Sequence, residues 1–119
     1  AVPLPVSVPS HSSLLTEAGI SLGDSLAGIE INAPKIRVIG AMDAEPYADP
    51  DDIREKLSRQ VYSPVRWVET ANALLAAGAE RIVECGPGKV LAGLQRRIDR
   101  SVPVAALDSL DALRAAIDT

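Results

Sequence analysis

The stretch from Arg81 to Ala106 narrows the possible folds more than any other. Arg81–Cys85 reads R-I-V-E-C, a short β-rich run, and Gly86-Pro87-Gly88 turns the chain sharply after it. From Lys89 to Ile98 the apolar residues Val90, Leu91, Leu94 and Ile98 recur at helical spacing, and Val102–Ala106 returns to a strand-like run. Strand, turn, helix and strand in that order imply an α/β fold, with layered helices around a short, mostly parallel sheet.

The remaining chain fits the same scheme. Val2, Leu4, Val6 and Val8 alternate, which predicts an opening strand, and Pro3, Pro5 and Pro9 confine it to an edge. Leu14, Leu15, Ala18, Leu22, Leu26 and Ile29 then predict a helix from Ser12 or Ser13, capped by Ser13 and ended by Gly28. Gly19 and Gly23 cost this helix about 1 kcal/mol each unless close packing requires a missing side chain. Ile29–Ile31 and Ile36–Ile39 are short β-rich runs, followed by a polar loop over 42–49. Asp49-Pro50-Asp51-Asp52 is a helix start, with an acid at the cap and proline in the first turn. That helix turns Ile53, Leu57 and Val61 inward and stops near Ser63. Another begins at Pro64 and runs to Gly78. A last helix, capped by Asp108 or Ser109, packs through Leu110, Leu113 and Ile117. No repeat or domain boundary is visible, so 119 residues read as one compact unit.

Composition removes several functions. A net charge of −4 and 3% aromatic residues leave neither the cations nor the stacking rings of a general nucleic-acid binder. One cysteine and one histidine cannot build an internal disulfide or a multi-His zinc site. No apolar run nears the roughly 20 residues of a membrane span, and no signal segment opens the chain. The expectation is a soluble cytoplasmic protein without a membrane or nucleic-acid partner.

Chemistry has three candidate locations. His11 follows the opening strand directly before a helix, where α/β folds place ligand sites, although a surface histidine with a capping role explains it as plainly. The turn Glu84–Lys89 goes from strand into helix but lacks phosphate-loop spacing, and Val90 stands where that loop needs Ser or Thr. Within it, Cys85 reads as a buried structural thiol rather than a thiolate nucleophile. Lys89, Arg96, Arg97 and Arg100, against a single Asp99, give one helix a basic face suited to an anionic partner or simply to solvent.

Three segments carry a more specific signal. Leu4–Leu15 (LPVSVPSHSSLL), Arg59–Trp67 (RQVYSPVRW) and Glu84–Leu91 (ECGPGKVL) resemble, in order and spacing, segments of bacterial malonyl-CoA:acyl carrier protein transacylases of the acyltransferase family. The resemblance covers essentially the whole chain but only the C-terminal part of that family's large, α/β-hydrolase-like subdomain. Its Gly-x-Ser-x-Gly nucleophile elbow, malonyl-binding arginine, oxyanion-hole glutamine and most of the small inserted subdomain have no counterpart in residues 1–119. The chain therefore reads as a C-terminal fragment, inactive alone, whose opening strand invites dimerisation or strand exchange.

The resemblance implies ping-pong malonyl transfer in fatty acid synthesis, with malonyl-CoA and phosphopantetheinylated acyl carrier protein as substrates and no cofactor. His11 matches the general base that serves a serine in the absent part, and the Gln60 backbone carbonyl matches the group that orients it. Ser10 and Ser12 take loop and cap roles, and the small Ser10 agrees with malonyl. The basic helix 89–100 is the expected contact with the carrier. The family often carries Asn in the loop after Asn32-Ala33-Pro34, whereas here Val38–Asp43 has none. Alternatives are an acyltransferase of a polyketide synthase, a non-catalytic α/β interaction module, and an enzyme that uses Cys85.

Overall fold

A computed structural model describes residues 7–117, so the predicted opening strand falls mainly outside the described residues; Ser7–Pro9 is irregular. The elements are a 3₁₀ turn (Ser13–Leu15), α1 (Thr16–Ala27), α2 (Pro50–Gln60), α3 (Trp67–Ala76), β1 (Ile82–Cys85), α4 (Val90–Ile98), β2 (Val104–Leu107) and α5 (Leu110–Ile117). They group into two compact units, 1–70 and 71–119. The division falls inside α3, where no linker or change of composition marks it in the sequence.

In the first unit α1 packs against α2. A Cβ on Gly19 would lie 2.5 Å from the Tyr62 ring and 2.8 Å from the Ser58 carbonyl oxygen, so the missing side chain is what permits the approach. Ser58 Oγ donates to the Gly19 carbonyl at 2.7 Å. Arg54 binds the end of α1, donating to the Leu26 carbonyl at 3.3 Å and the Ile29 carbonyl at 2.9 Å. The cap of α2 is as predicted: Asp49 accepts from the Asp51 and Asp52 amides, both at 2.9 Å, with Pro50 following it.

Several local expectations fail. Ser13 makes no side-chain cap; its segment is a 3₁₀ turn, and Thr16 Oγ1 donates back to its carbonyl at 2.7 Å. The β-rich runs at 29–31 and 36–39 form no strand, because β propensity alone supplies no neighbour for a ladder. Only an isolated antiparallel bridge, Ile39 to Pro46, appears there. The helix predicted from Pro64 begins at Trp67 instead. Residues 64–66 are irregular, and the Arg66 amide donates to the Ala41 carbonyl at 2.8 Å.

In the second unit α3 ends as predicted around Gly78. Its φ of +95° allows the paired bonds Ala79 N–H to the Leu74 carbonyl and Gly78 N–H to the Leu75 carbonyl. β1 and β2 are parallel, in register from Ile82–Val104 to Cys85–Leu107, and α4 crosses between them. Ser109 Oγ accepts from the Ala112 amide at 3.2 Å, which settles the start of α5.

The inward faces of α4 and α5 differ from expectation. Ala92 and Gln95 are the buried residues of α4, whereas Val90 is 70% exposed, and Leu110 and Ile117 of α5 are also exposed. A two-stranded sheet offers these helices too little area to cover their large apolar residues, and the buried positions of α4 fall instead to Ala92 and Gln95.

Candidate active site

His11 owes its orientation to the end of a helix. The last carbonyls of an α-helix have no partner within it, and α2 ends at Gln60. The His11 amide donates to the Val61 carbonyl at 3.0 Å, and its ring Nδ1 lies 2.8 Å from the Gln60 carbonyl oxygen. A carbonyl only accepts, so Nδ1 carries the hydrogen in this bond and the neutral ring keeps its lone pair on Nε2. These two contacts hold His11 at φ 61°, a left-handed conformation that costs a non-glycine residue about 1 kcal/mol or more. The sequence-predicted pair, His11 and Gln60, is thus brought into direct contact.

The residue is exposed and borders a small cleft open to solvent, with Gln60 beside it in the lining. Ala41 and Met42 form another part of its wall, and Ser63, Pro64 and Val65 complete it. Of the stretch Val38–Asp43, which lacks the family's Asn, it is Ala41 and Met42 that line the cleft. Sequence reasoning missed these lining residues, because the loop that carries Met42 shows no periodicity. Ser12 Oγ is turned to the Pro9 carbonyl at 2.7 Å, a loop role.

The turn at 84–89 is closed to anions. Gly86 and Gly88 have φ of +133° and +97°, which explains the glycines. The Glu84 carboxylate accepts from the Leu91 amide at 3.2 Å and the Ala92 amide at 2.8 Å, occupying first-turn donors that a phosphate or thiolate would use. Cys85 is exposed, contrary to the buried thiol expected: it ends a strand with one neighbour, and the turn leaves it uncovered. Among the described residues no cluster of His, Cys, Asp or Glu could hold a metal ion, and no helix is long and apolar enough to cross a membrane.

On the basic helix, Lys89 pairs with Asp108 at 3.1 Å and Arg96 donates to the Val104 carbonyl at 3.1 Å. Arg97 and Arg100 are exposed and make no ion pair among the described residues.

No protein-family model matches the chain. It is 42% identical over 118 residues to the malonyl CoA-acyl carrier protein transacylase of Escherichia coli K12, a match covering 99% of this chain and 38% of that protein. An acyl-carrier-protein S-malonyltransferase structure from Burkholderia pseudomallei 1710b superposes with a TM-score of 0.91 at 44% identity, covering 100% of this chain and 39% of that one. A malonyl-transacylase in complex with a type II PKS acyl-carrier protein gives a TM-score of 0.92 at 38% identity, covering 98% and 38% respectively. By sequence and fold the chain is thus similar to one part of these α/β transacylases. It is homologous to the malonyl CoA-acyl carrier protein transacylases and spans about 38% of the length of the curated relatives it matches, in their C-terminal portion.

Proposed function

We propose that this chain supplies the histidine half of a malonyl-CoA:acyl carrier protein malonyltransferase, with His11 as general base and the Gln60 carbonyl as the group that orients it. One observation carries the reading: the 2.8 Å contact between His11 Nδ1 and that carbonyl, which leaves Nε2 as the free proton acceptor.

In this reading the nucleophilic serine belongs to the part of the enzyme that the relatives carry outside the matched stretch. Nε2 removes the serine proton as the oxygen attacks the malonyl thioester carbon. The tetrahedral adduct collapses with cleavage of the C–S bond, and the imidazolium returns its proton to the departing coenzyme A thiolate. The carrier's phosphopantetheine thiol then attacks the malonyl-serine, with His11 taking the thiol proton and giving it to the serine oxygen. Protons and electrons balance without a further co-reactant. The Gln60 carbonyl accepts from Nδ1 in both ring states and so also supports the transient positive charge.

The homologues favour malonyl-CoA and acyl carrier protein as substrates, and fatty acid synthesis as the setting. A polyketide carrier is the second reading, favoured by the likeness to the transacylase bound to a type II PKS carrier. We assign the enzyme to the cytoplasm, where a reducing medium keeps a lone exposed thiol such as Cys85 free.

The test is a chimera in which residues 1–119 replace the matching portion of the Escherichia coli relative. Malonyl transfer by the chimera, lost by about 10³-fold or more in His11→Ala, is expected. A folded chimera that transfers no malonyl group, or one that keeps its rate without the imidazole, overturns the reading.

A further inference from the structure

Lys56 lies one helical turn before Gln60 and therefore on the same face of α2. Its ammonium is 3.1 Å from Asp43 Oδ2 and 3.1 Å from Asp52 Oδ2, 3.3 Å from the Pro46 carbonyl oxygen, and 5.5 Å from the centroid of the Tyr47 ring. Two carboxylates and one carbonyl match the three hydrogens of an ammonium, and the side chain is only 14% exposed. Isolated surface ion pairs contribute little, but a shielded cation with several fixed partners is a different case.

Most of these partners belong to the loop whose first residues line the His11 cleft. Asp43 follows Met42, and its Oδ1 accepts from the Glu45 amide at 3.1 Å, closing the turn. Asp52 Oδ2 also accepts from the Ala48 amide at 2.9 Å, fixing the far end of the loop to α2. The near end is tied by the Arg66 amide to the Ala41 carbonyl. One helix therefore grips both the imidazole, through its terminal carbonyl, and the Ala41–Met42 wall of the same cleft, through Lys56.

We propose that Lys56 is a positioning residue, which sets the acyl-binding wall at Ala41–Met42 in fixed relation to His11 by clasping the 43–47 loop onto α2. The proposal deepens the transferase reading and rests on it for what the cleft binds. The clasp itself is independent of that reading.

Lys56→Met keeps most of the stem and removes the charge, whereas Lys56→Arg keeps a cation able to reach both carboxylates. Hydrogen exchange on the 119-residue chain reads the loop directly. In Lys56→Met the Glu45, Ala48 and Arg66 amides are expected to exchange at least tenfold faster while the His11 amide keeps its protection, and Lys56→Arg should restore the loop. Unchanged loop protection in Lys56→Met overturns the clasp, and equal loss at the His11 amide overturns a local role in favour of general stability. In the chimera, Lys56→Met is expected to raise the malonyl-CoA KM roughly threefold or more with kcat within about twofold, and Lys56→Arg to recover most of that change. A loosened loop with unaltered KM overturns the positioning role. If the parent chimera transfers nothing, the transferase reading falls, while hydrogen exchange still decides the clasp.

Discussion

The Glu84 carboxylate lies 2.8 Å from the Ala92 amide, so a side chain from β1 caps the helix that follows it. Lys89, at the cap position, makes no such bond, and the start of α4 depends on Glu84 instead. Replacing Glu84 with Ala is expected to cost about 1 kcal/mol and lower Tm by several degrees, with Glu84→Gln retaining part of the stability. Thermal denaturation of the two variants checks this, and equal melting of Glu84→Ala and the parent would contradict it.

Two glycines of the α1 region separate packing from conformation. Gly19→Ala drives a methyl into the Tyr62 ring and the Ser58 carbonyl and should destabilise by about 1–3 kcal/mol. Gly28 has φ −90° and nothing within 4 Å, so Gly28→Ala should be neutral or stabilise by about 0.5 kcal/mol. Urea unfolding midpoints compare them, and the reverse order would refute the packing described for α1 and α2.

The Lys56 clasp sets a pH window. Partial burial alone would raise the Asp43 carboxyl, but the Glu45 amide and Lys56 outweigh it and hold it below 3.8. The Ala48 amide, with Lys56, holds Asp52 below the same value. Groups so depressed add stability that is full above 3.8 and lost as pH falls through their lowered values. Burial works against the Lys56 charge, yet its two carboxylates raise it above 10.5; that contribution is full below 10.5 and lost at higher pH. Loop amide protection should therefore be flat from about pH 5 to 10 and fall outside that range. Its loss near neutrality would be inconsistent with this arrangement.

A single histidine gives a single imidazole signal. Nitrogen-15 spectra of the neutral ring should report hydrogen on Nδ1, and Gln60→Ala should leave both that signal and malonyl transfer by the chimera within about threefold, because only the main-chain oxygen is engaged. A ring protonated on Nε2 alone would refute the orientation.

Arg97 on α4 and Arg100 just beyond its end, which make no ion pair among the described residues, bear on the proposed carrier. Arg96 is engaged by the Val104 carbonyl, so the informative reversal is Arg97→Glu with Arg100→Glu rather than one that includes Arg96. It should raise the carrier's KM by about tenfold at low salt and less at high salt, with the malonyl-CoA KM unchanged. An unaltered carrier KM removes this helix from the interface.

Punctuation made much of this legible in the sequence. Asp49-Pro50 announced α2, Gly78 ended α3, and Gly86-Pro87-Gly88 turned β1 into α4, since each position demands a particular backbone or cap. Apolar spacing was less reliable. It put Val90 and Leu110 on packing faces, whereas both are exposed and α4 buries Ala92 and Gln95, and it gave strands to Ile29–Ile31 and Ile36–Ile39, which find no ladder. Resemblance and helix-end chemistry pointed to the meeting of His11 and Gln60. The Met42 wall and the Lys56 clasp were hidden because they depend on where an irregular loop folds back; the four-residue spacing of Asp52 and Lys56 was their only trace.

An orienting oxygen that belongs to the main chain has no codon of its own. Point substitution at Gln60 leaves it in place, so the imidazole's bearing tolerates changes that would disable an aspartate-held ring. Its vulnerability is to the count of residues: inserting or deleting one within α2 turns the terminal carbonyls by about 100° and swings them off the ring. This stretch should therefore accept varied letters but hardly any change in length.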